Sequence, residues 1–327
     1  MTQYPQFQKL VIRARLEPPL AAAFVYPCDR DSIQLALSGE FAGYLAPVLV
    51  GPELRIRDLA GKAGLNIGRL PIVDTPDDPR AAGLRAAEMA RDGKVAALVK
   101  GSLSIEELLS PVAAPDSGLR TATRLSHAYF LDVPGMDRGL LLADAQLNVN
   151  PPLAAKRDIV LNTVRFAASL GIAIPKVGLL AAMDGASPAF PSTTDALALK
   201  GMAARGVISG AIVDGPFTPE TALSIEAARS NGIKSDIAGE VDVLIAPGME
   251  AAVMVLRTLT AITNGLAAGL VLGAKVPIVV PASRGDSMET RMASCVLASI
   301  AAAGQRAAAQ VAATATKIVK TAAVAAA

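Results

Sequence analysis

The chain has 327 residues, a formal net charge of +2, and only 3% aromatic residues against 52% hydrophobic ones. Its apolar mass is therefore small and aliphatic, which is typical of buried parallel strands covered by helices and excludes disorder for the bulk of the chain. The balanced charge supplies no broad basic surface for nucleic acid or for an anionic membrane. At about 150 residues per domain, two domains are expected.

The longest weakly polar stretch, residues 258–274, contains three Thr, an Asn and three Gly and is closed by Lys275. It is too short and too polar for a spanning helix, which needs about 20 predominantly apolar residues. The first ten residues lack the apolar core of a signal peptide. Cys28 and Cys295 do not suggest a disulfide framework. We therefore expect a reduced, cytoplasmic protein without membrane contact.

Short apolar runs alternate with segments of helical spacing along most of the chain. The predicted strands are residues 21–26, 47–50, 96–99, 127–131, 140–143, 177–181, 211–213, 243–246 and 276–280. The predicted helices are residues 79–91, 153–170, 194–205, 219–231 and 287–303. This alternation predicts parallel sheets joined by crossover helices. The Ala-rich tail, residues 307–327, favours a helix that can fray, and we assign it no function.

Polar residues directly follow several of the predicted strands. Lys100-Gly101-Ser102, Asp144 and Asp214-Gly215-Pro216 each come at such a point. In open parallel sheets, ligands bind outside the carboxyl ends of the strands, so these residues are candidates for a shared site. The alternative for each of them is ordinary turn formation.

Several common kinds of active site are absent from the sequence. His127 is the single histidine, so a zinc hydrolase is not expected. Neither a Gly-x-x-x-x-Gly-Lys-Ser/Thr phosphate loop nor a Gly-x-Ser-x-Gly nucleophile elbow occurs. What remains is a set of Ser, Arg, Asp, Lys and backbone amides, which suits anion binding and group transfer without a metal.

The strongest local signal is Ser283-Arg284-Gly285-Asp286-Ser287, between a predicted buried strand and an amphipathic helix. A polar turn before a helix presents backbone N–H groups to an anion, and Arg284 adds a planar cation that grips phosphate bidentately. The alternative is a helix N-cap with a surface arginine.

Residues 277–287 resemble the C-terminal signature of the phosphate acetyl/butyryltransferase family, usually an apolar strand followed by Ser-Arg-Ala-Asp-Ser. Other blocks occur in the family's order: Lys100-Gly101-Ser102-Leu103, Ser126-His127, Asp132-Val133-Pro134-Gly135, Asp144 with Asn148, Pro191-Ser192-Thr193, Asp214-Gly215-Pro216 and Pro247-Gly248-Met249-Glu250. The resemblance covers roughly residues 10–300, and the ordered set is more specific than any single block.

The resemblance implies the reaction acyl-CoA + phosphate ⇌ acyl phosphate + CoA, with a short acyl group from acetyl to butyryl. It implies two three-layer α/β domains with mainly parallel sheets, similar to isocitrate and isopropylmalate dehydrogenases, and an active site in the interdomain cleft. Residues 123–272 would form a second domain inserted into a first one, made of residues 1–122 and 273–327. CoA is expected as a substrate, with no permanently bound cofactor and no metal, and members are typically homodimers.

By the same resemblance, Arg284 anchors phosphate or acyl phosphate, Ser283 donates a hydrogen bond, and Asp286 is the candidate base for the CoA thiol. Lys100 and Ser102 are expected to bind phosphate or the CoA diphosphate. Further candidate binding residues are His127, Asp144, Asn148, Ser192 and Asp214. For His127 a buried core position is an equal alternative, and for the other four capping or turn formation competes with ligand contact.

The chain also departs from the family pattern. Relatives usually carry Glu-Ala-Gly-Asn where this chain has Glu250-Ala251-Ala252-Val253, and acetyltransferase relatives have a carboxylate at the position of Thr290. The alternative function is therefore a low-activity homologue that binds CoA or acyl phosphate as a sensor or partner subunit. A metal- and NAD-dependent dehydrogenase of the same broad fold is a third possibility, which the single histidine disfavours.

Overall fold

The computed structural model describes the backbone of residues 3–281 and 287–325, and the side chains of residues 3–281, 287–311 and 314. Strands and helices alternate along the chain, as the apolar pattern predicts. In chain order the elements are α1 (Pro5–Ala14), β1 (Leu20–Val25), α2 (Arg30–Phe41), β2 (Leu45–Gly51), α3 (Glu53–Lys62), β3 (Ile72–Asp74), α4 (Pro79–Arg91), β4 (Ala97–Lys100), α5 (Ile105–Ala113), β5 (Ser126–Asp132), β6 (Leu140–Ala143), α6 (Leu153–Ser169), β7 (Lys176–Leu180), α7 (Pro191–Ala204), β8 (Ile212–Phe217), α8 (Pro219–Leu223), α9 (Ile225–Ser230), β9 (Val243–Ile245), α10 (Met249–Thr263), β10 (Leu266–Leu272), β11 (Ile278–Val279) and α11 (Met288–Ala325).

Within the described residues the strands form one continuous sheet in the order β3-β2-β1-β4-β11-β10-β5-β6-β9-β7-β8. Parallel pairing holds within β3-β2-β1-β4-β11 and within β6-β9-β7-β8. The antiparallel pairs are β10 with β11, β10 with β5, and β5 with β6. The predicted α/β class with mainly parallel strands is therefore confirmed, although the two parallel groups belong to a single sheet.

The two parallel groups run in opposite directions, because three successive antiparallel pairs lie between them. We call the edge reached by the carboxyl ends of β1, β4, β11 and β5 the first edge. The carboxyl ends of β6, β7, β8, β9 and β10 reach the opposite one, the second edge. Lys100 thus ends its strand at the first edge and Asp144 follows β6 at the second, a division that the strand–helix alternation does not reveal.

The buried hydrophobic residues form two clusters, one larger and one smaller. A larger core cluster contains Phe24, Leu98 and Ile278, each fully buried, and is covered by helices that include α2, α4 and α11. A smaller cluster around Leu131 and Leu244 packs beneath α8 and α10. The domain boundaries at residues 122/123 and 272/273 stay a prediction; near them, a single β-bridge joins Arg120 and Ala274.

Several predicted elements differ from the structure, and the strand predicted at residues 276–280 is only the two-residue β11. The predicted helix 219–231 is two helices, α8 and α9, because Ser224 leaves the helical conformation and its hydroxyl accepts a hydrogen bond from the amide of Ala227. The predicted strand 211–213 is the start of β8, which continues to Phe217. The weakly polar stretch 258–274 is divided between α10 and β10 by Asn264, whose φ is 53°. Among the described helices, none has the length and apolar character needed to cross a membrane.

Candidate active site

The first edge brings together the ends of three strands. Strands β1 and β4 are neighbours, and the chain leaves β1 toward β2 on one side but leaves β4 toward β5 on the other. Ligands of open α/β sheets bind at such a switch point. Val25 pairs with Lys100, and Val99 pairs with Val279, so β4 and β11 end side by side. The predicted catalytic residues Ser283, Arg284 and Asp286 lie outside the described residues, between Pro281 after β11 and Ser287 before α11.

The turn Lys100-Gly101-Ser102 is fixed against the end of β1 by backbone hydrogen bonds. The Gly101 amide donates to the Val25 carbonyl at 3.0 Å, and the Ser102 amide donates to the Tyr26 carbonyl at 2.8 Å. The Lys100 ammonium donates to the Gly101 carbonyl at 3.2 Å. The position of Lys100 and Ser102 is thus set by the neighbouring strand as well as by their own.

Replacing Gly101 by Ala is expected to displace this turn. A Cβ there would lie 2.5 Å from the Tyr26 carbonyl oxygen and 2.6 Å from that of Val25, and both are backbone atoms. We expect a loss of about 1–3 kcal/mol in the free energy of unfolding, with lower activity in the protein that still folds. Gly61→Ala in α3 is the control, because no atom lies within 4 Å of its Cβ position. A Gly101→Ala protein with unchanged denaturant midpoint and activity would contradict this.

Asp29 links the β1–α2 turn to the Ser102 turn, a contact that the sequence analysis missed. Its Oδ1 accepts from the Ser32 amide at 2.8 Å, and its Oδ2 accepts from the Ser32 hydroxyl at 2.7 Å and from the Ser102 hydroxyl. Burial alone would raise the pKa of Asp29, but these hydrogen bonds and the nearby charge of Arg291 outweigh it and lower that pKa. Asp29 is therefore an ionised acceptor.

Tyr26, whose carbonyl accepts the Ser102 amide, is held in a hydrogen-bonded cluster with Arg55 and Asp77. The Tyr26 hydroxyl donates to Asp77 at 2.5 Å and accepts from Arg55 at 2.7 Å, while the Arg55 guanidinium lies 5.5 Å from the ring centroid. Burial and the Asp77 hydrogen bond raise the pKa of Tyr26 to about 12, so its hydroxyl remains protonated and a donor. This cluster is structural support for the first edge.

His127 is fully buried in β5, opposite Val271, and its ring lies 4.4 Å from that of Tyr129. Neither ring nitrogen has a hydrogen-bond partner among the described residues. Burial lowers the pKa of His127 to about 3, so the imidazole is neutral at physiological pH. Gly269 makes room for it, because a Cβ there would lie 2.4 Å from the imidazole Cε1.

Asp144 and Asn148 hold the turn after β6 at the second edge. Asp144 Oδ1 accepts from the amides of Gln146 at 2.9 Å and Leu147 at 3.0 Å, and its Oδ2 accepts from the Asn148 side chain at 2.6 Å. The Asn148 amide also donates to the Leu125 carbonyl at 3.0 Å. Asp144 is 2% exposed, and both of its carboxylate oxygens accept hydrogen bonds that hold this turn together.

Asp214 and Ser192 are also at the second-edge side of the molecule but do not meet each other in any described contact. Asp214 lies inside β8, where it pairs with Lys200 and accepts from the Gly215 amide at 2.8 Å. Ser192 lines a small pocket with Lys156, whose ammonium is 2.6 Å from Asp195.

A larger cavity, which the sequence analysis also missed, opens where the chain crosses between the two parallel groups. It has a volume of about 470 Å³ and is lined by Arg120, Thr121, Arg124, Asp158 and Gly273 with their neighbours. Among the described residues, neither arginine is in a salt bridge with a carboxylate. The lining holds two arginines against one aspartate, Asp158, and a positive balance of this kind suits an anionic ligand.

The described residues contain no group of His, Cys, Asp and Glu side chains that could hold a metal ion. Both cysteines are free and buried, and burial raises the pKa of Cys28 to about 11 and that of Cys295 to about 12. These thiols therefore stay protonated and are poor nucleophiles. The chemistry available at the first edge is that of hydroxyl, ammonium, guanidinium and carboxylate groups.

The family description "Phosphate acetyl/butaryl transferase" matches residues 79–299. The chain is 43% identical over 306 residues to a phosphate acetyltransferase of Rhizobium meliloti, covering 94% of this chain and 96% of that protein. It is 33% identical over 296 residues to a phosphate butyryltransferase of Clostridium acetobutylicum, covering 90% of this chain and 98% of that protein. The chain belongs to the phosphate acetyl/butyryltransferase family. The family predicted from the ordered motifs is thus confirmed.

Solved structures agree with the fold of this phosphate acetyl/butyryltransferase family member. A branched-chain phosphotransacylase from Enterococcus faecalis superimposes with a TM-score of 0.75 at 24% identity, over 86% of this chain and 99% of that one. A 4-hydroxythreonine-4-phosphate dehydrogenase from Klebsiella pneumoniae matches with a TM-score of 0.55 at 16% identity, over 87% and 99% of the two chains. The predicted dehydrogenase-like α/β fold is therefore confirmed.

Proposed function

We propose that this protein catalyses acyl-CoA + phosphate ⇌ acyl phosphate + CoA for short acyl groups, from acetyl to butyryl. The observation that carries the proposal is the junction of β4 and β11 at the first edge, in a chain of this family. There the Lys100–Ser102 turn lies beside the strand that leads into Ser283-Arg284-Gly285-Asp286. A cation, a hydroxyl and a guanidinium at one strand-end site suit two anionic reactants.

In this proposal Arg284 anchors the phosphate or acyl phosphate, and Ser283 donates a hydrogen bond to the charge that develops on the carbonyl oxygen. Asp286 accepts the proton of the CoA thiol in the direction of acyl-CoA synthesis. Lys100 adds a second positive charge for the phosphate. His127, neutral and buried, contributes packing. Burial keeps both cysteine thiols protonated, so neither serves as an acyl carrier in this proposal. The CoA thiolate attacks the carbonyl carbon of the acyl phosphate and phosphate leaves; in the reverse direction a phosphate oxygen attacks the thioester carbonyl and the CoA thiolate leaves.

The cavity lined by Arg120 and Arg124 supports binding of CoA phosphates, because its lining contains two arginines against one aspartate. CoA acts as a substrate, and no permanently bound cofactor is needed for this transfer. The division into residues 1–122 with 273–327 and residues 123–272, the cleft between those parts as the active site, and a homodimeric assembly complete the proposal.

Coupled turnover tests the proposed function directly. The purified protein is expected to form acyl-CoA from CoA and acetyl, propionyl or butyryl phosphate, with thiol consumption and acyl-CoA absorbance as independent readouts. Omission of each substrate in turn is the control. Absence of turnover with all three acyl phosphates, in protein that still binds CoA by calorimetry, would contradict it and favour the low-activity binding homologue.

A further inference from the structure

The Ser102 hydroxyl uses its one proton in a hydrogen bond within the protein. The Ser102 Oγ lies within hydrogen-bond distance of Asp29 Oδ2, and a carboxylate can only accept. The hydroxyl therefore donates to Asp29, and because Ser102 is an exposed residue, the lone pairs of its oxygen are what the hydroxyl can offer to a ligand. A hydroxyl held in this way accepts hydrogen bonds from a ligand but does not donate to one.

The ionised state of Asp29 makes this orientation stable. The amide and hydroxyl of Ser32 donate to the same carboxylate, and Arg291, which is only 9% exposed, lies close enough to favour its charged form. Arg291 also lies 3.5 Å from Asp31. The Ser102 amide N–H donates to the Tyr26 carbonyl, so the amide and hydroxyl donors of Ser102 are both used within the protein.

We propose that Asp29 is a positioning residue of the acyl-transfer site, which holds Ser102 as a hydrogen-bond acceptor for an amide N–H of the pantetheine arm of CoA. This inference rests on the proposed function and assigns Ser102 a different partner from the phosphate or diphosphate that its motif suggests. The CoA diphosphate, fully ionised at neutral pH, offers only acceptors and would meet the negative charge of the Asp29 carboxylate behind the hydroxyl.

The pantetheine arm fits better than the nucleotide for a geometric reason. The Ser102 turn follows the strand that pairs with β11, and β11 leads to the residues assigned to the reacting groups. The thiol of CoA ends the pantetheine arm, so the two amides of that arm are the uncharged N–H groups nearest the reaction. Lys100, two positions before Ser102, remains the phosphate contact of this turn.

A double-mutant cycle of Asp29→Asn and Ser102→Ala tests the assignment. Asn remains a good N-cap for α2, so the fold is retained, but it can donate to Ser102 and release the hydroxyl proton. We expect each single variant to raise the Kd of CoA about tenfold, the effect of one lost hydrogen bond. The double variant is expected to match Ser102→Ala, because Asp29 acts through Ser102.

Two probes and one control variant separate the outcomes. Affinity for inorganic phosphate and for adenosine 3′,5′-bisphosphate, which lacks the pantetheine arm, is expected to stay within twofold in both variants. Asp31→Asn removes the same charge two residues away, beside Arg291, and is expected to leave the Kd of CoA unchanged. Equal losses for the bisphosphate or for phosphate, or additive losses in the double variant, would overturn the inference. Turnover of the unaltered protein is measured in parallel, so that failure of the reaction is distinguishable from failure of this assignment.

Discussion

Arg284→Ala is expected to lower kcat/KM for acyl phosphate by about 10²–10³-fold, the usual effect of removing one donor that stabilises transition-state charge. In the sequence, Arg284 belongs to the polar segment that follows β11, and β11 pairs with β4, the strand that ends in Lys100. A guanidinium presents two parallel N–H donors to a phosphoryl group, and no other residue of that segment carries a positive charge. The measurement is steady-state turnover with each substrate varied in turn.

The controls address charge and fold separately. Arg284→Lys keeps the charge but loses the planar fork, so we expect it to recover part of the activity without reaching the unaltered value. Arg69→Ala removes an exposed arginine from the connection between α3 and β3 and is expected to leave kcat/KM unchanged. An Arg284→Ala protein whose kcat/KM falls less than tenfold would exclude Arg284 as the phosphate anchor and would direct attention to Lys100.

The central strands could be predicted closely from the sequence. The aliphatic pattern predicts β6 at residues 140–143, as observed, and predicts β4 and β9 within one residue at each end. These strands are buried on both faces and therefore read as uninterrupted aliphatic runs, which local sequence reveals. The same holds for the polar turn after β4, since its Gly and Ser follow such a run directly.

Other features depend on contacts that are remote in sequence. β10 and α10 form one long apolar stretch, and only the left-handed backbone at Asn264 divides the helix from the strand. The opposite directions of the two parallel groups follow from the antiparallel pairs of β5 and β10. No local sequence pattern therefore indicates that Lys100 and Asp144 lie at opposite edges of the sheet. The contact of Asp29 with Ser102 joins residues 73 positions apart. A search for acidic residues after every buried strand would have found Asp29.

Stability is expected to fall between about pH 6.5 and pH 3 because of His127. Its pKa is about 3 in the folded protein against an ordinary value of 6.5, so in this range the unfolded chain binds a proton that the native state excludes. The free energy of unfolding therefore falls with decreasing pH, by about 4 kcal/mol between pH 6.5 and pH 3 and about 2 kcal/mol between pH 6.5 and pH 4.5. Urea unfolding at pH 7.0, 6.0, 5.0 and 4.5 measures it.

His127→Leu isolates this contribution, because carboxylates that titrate in the same range affect both proteins equally. At pH 7 the variant is expected to be at least as stable as the unaltered protein, since it removes two buried nitrogens that have no partner among the described residues. Its stability should depend less on pH, by about 2 kcal/mol between pH 6.5 and pH 4.5. Parallel pH profiles for the two proteins would mean that the imidazole is protonated in the native state, and that it has an anionic neighbour. A flattened profile with retained turnover would instead establish His127 as a packing residue beside Gly269, because a neutral ring with no exposed atom cannot exchange a proton with CoA.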